Sequence, residues 1–272
     1  LVARERRAEA PAPPAAEGGA SDGGEPPTWA HVSPLIERGS VLLSEPGCGF
    51  SFRQQYFQKA VVLLVDHRKE FDMGIILNRP TGISTSQLGV PGQSWLLSFG
   101  GDCQGLQDTP GNSLDTMCLF CLHSQASLAG VSKEVIDGLW FTSLAEAQTA
   151  VNKGHAGLGD FLAVAGYCGW GEGQLQRELD EGSFWSLAAV DKRSLVRELR
   201  QAQARASLEM SADQVVVDDG TAAWRRLYDS LGRLHQDRAS AWRPDVIFGD
   251  QRLREWIDAN LVRLDTGAQG WM

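Results

Sequence analysis

The sequence predicts an α+β chain, with a strand-rich body followed by an amphipathic helical end. Charge is sparse in residues 41–190, at 23 of 150, and dense in residues 191–272, at 26 of 82. The body is built of short apolar runs cut by Gly, Pro and Asn, the punctuation of strands. Beyond Thr221 the apolar residues fall instead at helical spacing.

Residues 1–37 come first. Fifteen of the twenty positions from Ala8 to Pro27 are Ala, Pro or Gly, and none is aromatic or a larger aliphatic. Such a stretch cannot bury enough apolar surface to offset its ordering entropy, so a disordered leader is expected. Arg4, Arg6 and Arg7 make it compatible with the remnant of an organellar transit peptide, although Glu5 and Glu9 are atypical of one.

The body follows as residues 38–235. Val41–Ser44 reads as a strand stopped by Pro46 and Gly47. Ala60–Asp66 reads as a strand buried on both faces, and Met73–Leu77 as its hairpin partner. Asn78-Arg79-Pro80 ends that pair, since Pro80 fixes its own φ and restricts Arg79. Further strands are expected at Trp95–Phe99, Met117–Leu122, Leu139–Thr142 and Phe161–Ala165. Ser143-Leu144-Ala145-Glu146 has the form of a capping box and opens a helix that Gly154 closes. A second helix is expected from Gln174 to Glu181, with Gly182 placed to cap it. A charged helix runs from Asp191 to Met210, with Arg193, Arg197 and Arg200 on one side. Trp224, Leu227, Tyr228, Leu231 and Leu234 predict a helix over Thr221–His235. In the C-terminal extension, residues 236–272, Leu253, Trp256, Ile257, Leu261 and Leu264 predict another over Asp250–Leu264, after a linker holding Pro244.

These landmarks resemble the AlgH/YqgE family. The resemblance rests on Gly39-Ser40-Val41-Leu42-Leu43-Ser44, on Phe57 through Val61–Leu64 to His67, and on Gly74-Ile75-Ile76-Leu77-Asn78-Arg79-Pro80. Gly100-Gly101, Leu122-His123 and Gly166-Tyr167-x-Gly169-Trp170-x-x-Gly173-Gln174-Leu175 follow in order, and Trp224–Gly232 fits the closing helix. One departure is Asp102-Cys103, where the family usually places Pro after its paired glycines. The resemblance implies a bent mixed β-sheet forming a pseudo-barrel with helices packed outside, and no established reaction. The leader and the C-terminal extension look like the plant and algal branch, which implies a chloroplast location, in the stroma or at the thylakoid periphery.

Several function classes fall away. The net charge of −9 is wrong for gripping a phosphate backbone, so nucleic acid is not the expected partner. The longest strongly apolar stretch, Ala60–Val65, is too short to span a bilayer. Five cysteines in 272 residues make no disulfide scaffold.

Three groups of residues could carry chemistry. Cys118-Leu119-Phe120-Cys121 has the spacing of redox pairs and zinc knuckles, but on a strand its two sulfurs diverge. Core cysteines are expected, and His123 with Cys103 or Cys168 is the alternative if the fold gathers them. Gly169, Gly171, Gly173 and Gln174 lie between a strand and a helix, where free N–H groups could hold an anion. Their spacing matches neither dinucleotide nor P-loop fingerprints, and Glu172 adds negative charge there. The alternative is a tight crossover that lets Trp170 pack. His67, Asn78 and Arg79 form a polar group at strand ends. Asp66 beside His67 invites an acid–base reading, yet no G-x-S-x-G elbow completes a triad. Arg79 is expected to pair with the acidic body.

The function expected from all this is a non-enzymatic binding or accessory subunit without catalytic residue, metal or cofactor, contacting a protein complex through its N-terminal tail and last helix. The alternatives are a small-molecule or anion-binding protein or enzyme using the Gly166–Gln174 loop, and a transcription-related regulator.

Overall fold

The computed structural model describes residues 29–47, 53–106, 117–197, 200, 219–241 and 243–262. The class is α+β, and the strands divide into two six-stranded sheets that face one another without closing into a barrel. The first sheet runs β1 (Ala30–Val32), β12 (Trp185–Val190), β2 (Val41–Ser44), β3 (Val61–His67), β4 (Phe71–Ile76) and β11 (Cys168–Gly171). The second runs β5 (Pro80–Ser84), β6 (Leu96–Phe99), β10 (Phe161–Ala165), β7 (Leu119–His123), β9 (Leu139–Ser143) and β8 (Lys133–Ile136). Neighbours are antiparallel except β6 and β10, which makes the second sheet mixed.

Alternation along the strands explains why the apolar runs are unbroken. Val41, Leu43, Val61, Leu63 and Ile75 point into the space between the sheets and meet Leu122, Leu139, Leu162 and Val164 from the other side. Leu42, Val62, Leu64 and Ile76 point outward and need a second cover. α2 (Gln174–Asp180) supplies Leu175 to that face, and α5 (Pro244–Asn260) supplies Leu253 and Ile257. On the outer face of the second sheet, α1 (Leu144–Asn152) covers Cys121 and Ala163 with Leu144, Ala147 and Ala150. Each fully buried Leu or Ile contributes about 1.5–3 kcal/mol, so covered outer faces are as necessary as the shared interior.

The capping box at the start of α1 is present as expected. The Ser143 hydroxyl accepts from the Glu146 N–H, and the Glu146 carboxylate accepts from the Ser143 N–H.

Two helix expectations change. The stretch Thr221–His235 is two helices, α3 (Thr221–Ser230) and α4 (Arg233–Ser240), because Gly232 turns the chain at φ 116°. α5 begins at Pro244, which occupies its first turn rather than a linker; Pro has no N–H to lose there. The last helix packs Leu253, Ile257 and its capping residue Leu261 into the chain's own core and leaves Ile247 and Phe248 exposed, while Leu264 lies outside the described residues. Of the charged helix expected over 191–210, residues 192–197 are helical, and 198–199 and 201–210 lie outside the described residues, as do residues 1–28 of the expected leader.

The chain changes sheet at two places that the sequence marks. Leu77–Arg79 carry it from β4 to β5, and Gly166–Tyr167 carry it from β10 to β11.

Candidate functional site

Pro80 forces the first crossover. It cannot donate to a ladder, so the chain leaves β4 before it and turns Asn78 and Arg79 inward. The Asn78 amide bridges three strands of chain. Its Oδ1 accepts from the Val61 N–H at 2.8 Å, and its Nδ2 donates to Lys59 O at 2.9 Å and to Gly220 O at 2.8 Å. Arg79 is fully buried. Its Nε donates to Tyr56 O at 3.1 Å, its Nη1 to Asn78 O at 2.8 Å and Asp219 O at 3.0 Å, and its Nη2 to Gln58 O. The described bonds of Arg79 all run to main-chain carbonyls. A rigid fork of five donors suits such a site, because its charge is spread over several carbonyl dipoles. Gly220 completes the junction at φ +69°; a Cβ there would lie 1.8 Å from Asn78 O.

His67 lies at the far end of the same hairpin. The β3–β4 register pairs Val62 with Ile76 and His67 with Asp72, so His67 never meets Asn78 and Arg79. Its Nδ1 sits 2.5 Å from Asp72 Oδ1. The neighbouring Asp66 bonds instead to Lys133 at 2.6 Å and Arg68 at 2.8 Å. Burial works against its charge, yet Lys133, Arg68 and Arg38 hold the carboxyl below its usual range. Asp66 and His67 therefore bond to different partners.

The glycine segment contains one strand more than expected: after Gly166, at φ +76°, comes β11, paired antiparallel to β4, and Glu172 and Gly173 then turn the chain into α2. The glycines permit close crossing: a Cβ on Gly101 would lie 2.2 Å from Tyr167 C and O, and one on Gly74 3.1 Å from the Trp170 ring. Gly169 and Gly171 belong to the ladder, and Gly173 at φ +66° precedes α2, which has seven residues. Gln174 accepts from the Gly171 N–H at 3.2 Å and donates to Glu178 Oε1 at 2.9 Å. Glu178 Oε2 accepts the indole N–H groups of Trp170 at 3.0 Å and Trp185 at 2.9 Å. The fold's own carboxylate thus collects the side-chain donors of this segment. Asp102, in the turn that departs from the family pattern, accepts the Tyr56 hydroxyl at 2.6 Å.

Cys103 bridges Tyr167 and so lies beside Cys168, while Cys118 and Cys121 flank the start of β7. Cys121 is buried and its thiol pushed up by burial, as is that of Cys168. Cys118 lies just before β7, half-exposed, with its Sγ 3.0 Å from Gln104 Oε1. Cys48 lies outside the described residues. No group of three or more His, Cys, Asp or Glu able to hold a metal occurs among the described residues. His123 is buried and stacked on Trp140. Its Nδ1 accepts from the Gln125 N–H at 3.2 Å, so the neutral ring donates from Nε2 to Ser132 Oγ at 2.8 Å. Burial lowers its pKa, with Asp160 opposing.

No motif marks a further concavity. A groove of about 590 Å³ lies where β1 begins and β12 ends, lined by Trp29, Glu37, Arg38, Asp137, Lys192 and Arg193 among others. Asp191 at its floor is already occupied, accepting from the Trp29 N–H at 2.9 Å, Ser194 Oγ at 2.6 Å and the N–H groups of Arg193 and Ser194. Burial alone would raise its pKa, but these bonds hold it below the usual range. The lining comes from segments about 100 residues apart, so no local pattern could have revealed it.

With this geometry in place, comparison with known proteins is informative. A family model described as DUF179, AlgH-like, matches residues 49–232. A UPF0301 protein of Shewanella sp. strain W3-18-1 is 30% identical over 178 residues, covering 63% of this chain and 93% of that protein. A UPF0301 protein of Parabacteroides distasonis is 25% identical over 207 residues, covering 74% and 86%. Among solved structures, the solution structure of the AlgH protein from Pseudomonas aeruginosa gives a TM-score of 0.45 at 21% identity, covering 68% of this chain and 98% of that one. A crystal structure of a Corynebacterium diphtheriae protein gives 0.42 at 15% identity, covering 79% and 94%.

Proposed function

The chain belongs to the AlgH-like DUF179 family, and from that premise we propose that it is a non-enzymatic binding protein, an accessory subunit acting in the chloroplast stroma or at the thylakoid periphery. The observation that carries this reading is the groove beside Trp29. Its 590 Å³ falls in the range that takes a cluster of side chains or a ligand-sized group, and it offers the cations Arg38 and Lys192 next to an exposed indole. Asn78, Arg79 and Gln174, by contrast, spend hydrogen bonds on holding the fold. The N-terminal segment enters the described fold at the groove, which agrees with a partner met at that end.

Chloroplast placement rests on the Ala/Pro/Gly-rich composition of Ala8–Pro27 and on sequence beyond the 178 residues aligned with the Shewanella relative. A fluorescent fusion of the chain tests it, and cytosolic fluorescence would overturn that placement. The binding role is tested by purifying the tagged full chain from stroma and from gently solubilised thylakoids, beside an Arg38→Glu/Lys192→Glu variant. One polypeptide in near-stoichiometric amount, lost with the variant, is the expected result. Recovery of the wild-type chain alone from both fractions would refute the reading.

A further inference from the structure

Part of the outer face of the first sheet is covered from beyond the stretch that the family model matches. That stretch ends at residue 232, and α5 begins at Pro244. The surface under α5 is made largely by matched residues: the short turn Gln55–Phe57, then Gln58, Lys59 and Phe99. A surface and its cover thus come from separate parts of the chain.

The seat is shaped for a helix. Leu253, Ile257 and Leu261, spaced four apart, fill its apolar floor and are 0%, 3% and 0% exposed. The Trp256 ring lies beside them, 5.4 Å from that of Tyr56 and 5.1 Å from that of Phe99. One turn before Leu253, the Asp250 carboxylate accepts from Lys59 Nζ at 2.6 Å and Gln58 Nε2 at 3.1 Å. At Gly249 the helix comes so close that a Cβ would lie 2.7 Å from Gln58 Nε2. Past the last turn, the Gly82 N–H donates to Leu261 O at 2.8 Å. The seat therefore reads Asp-x-x-Leu-x-x-Trp-Ile-x-x-x-Leu on a helix. α5 joins no sheet, side chains make most of these contacts, and α4, which leads to it, buries none of its residues. Elements held in this way belong to the low-stability end of local opening.

We propose that this seat is a helix-docking groove with α5 as its resident occupant, and that a partner protein's amphipathic helix of the same pattern binds there by displacing α5. A second copy of the chain is not that partner. Exchanging α5 between copies replaces each contact by an identical one and adds the cost of association, while the tether already holds α5 at an effective concentration on the order of millimolar. A foreign helix needs only a better match to Lys59, Gln58 and the Tyr56–Phe99 pair. The seat shares no residue with the groove beside Trp29, so the two surfaces are tested separately.

Hydrogen exchange on the full chain in low urea tests displacement. The α5 amides should exchange through an opening that leaves β3 and β10 protected. Exchange of α5 only together with β3, in global unfolding, overturns the proposal. Docking is tested with a fluorescent peptide of residues 243–262 and a Leu253→Asp/Ile257→Asp variant of the full chain, whose own helix no longer fits the apolar floor. The variant should stay folded and bind the peptide at least about tenfold more tightly than the wild-type chain, where α5 competes. A peptide carrying the same two substitutions should bind neither protein. A variant that unfolds shows α5 to be an inseparable part of the core, and a folded variant that ignores the peptide shows that the seat takes no helix from outside. Either result overturns the proposal.

Discussion

The Asn78–Arg79 crossover and the groove beside Trp29 are both rich in polar groups, and they use them in opposite ways. At the crossover every named donor points inward to a carbonyl, and solvent reaches none of the guanidinium. In the groove Arg38 and Lys192 line open space, while Asp191 is drawn into the scaffold. The difference teaches that conspicuous motif residues here hold the architecture, while the accessible chemistry lies on residues that no motif marks. Such a contrast can be broken by experiment, because the two regions should respond differently to the same kind of change.

The largest effect is expected from Arg79→Met. It removes the donors of several buried carbonyls and should cost about 4 kcal/mol in urea unfolding. A loss below about 1 kcal/mol would show that the guanidinium is not what joins the segments. Gly220→Ala comes next at about 3 kcal/mol, because the added Cβ meets Asn78 O and the φ of +69° is strained for alanine. Equal stability of the two proteins would contradict the close approach. Acidification supplies a third comparison. His123 and His235 both have pKa values lowered by burial, so the unfolded chain binds their protons more readily than the folded one. Stability should therefore fall as the pH drops through about 6.5, the unfolded histidine value, and level off below the folded values. His123→Asn should flatten that slope in denaturation curves taken across the range. Asp66 acts in a separate window: its lowered pKa stabilises the fold above the ordinary carboxylate range and is lost in stronger acid. The smallest effect belongs to the groove, where Arg38→Glu/Lys192→Glu should change unfolding free energy by no more than about 0.5 kcal/mol while abolishing partner recovery.

Legibility in the sequence followed the same divide. β2, the β3–β4 hairpin, β6, β9, β10 and the α1 capping box were readable because each is a local pattern with its own stop signal. β1 and β8 were not, since three or four residues leave no period to detect. β5 starts with a proline, and β11 is Cys-Gly-Trp-Gly, so both contradict strand propensity and exist only through their partners. The start of α5 is hidden because Pro244 reads equally as linker or first turn. Of the candidate residues, His67, Asn78 and Arg79 were visible as polar punctuation. Their separation was legible from the antiparallel hairpin alone, but the carbonyls that receive Arg79 come from two distant segments. The groove needed the tertiary fold.

The crossover also sets an order of events during synthesis. Arg79 donates to Asp219 and Asn78 to Gly220, contacts spanning 140 and 142 residues. A ribosome adding about 5–20 residues per second needs on the order of 10 s to travel that far. Throughout that interval the two side chains can engage only the Tyr56–Val61 side, and the passage between the sheets stays unsealed. The nascent chain is thus most exposed to proteases and chaperones just before the α3 segment emerges, and a ribosome stalled between residues 80 and 219 should carry a body that is collapsed but not yet locked.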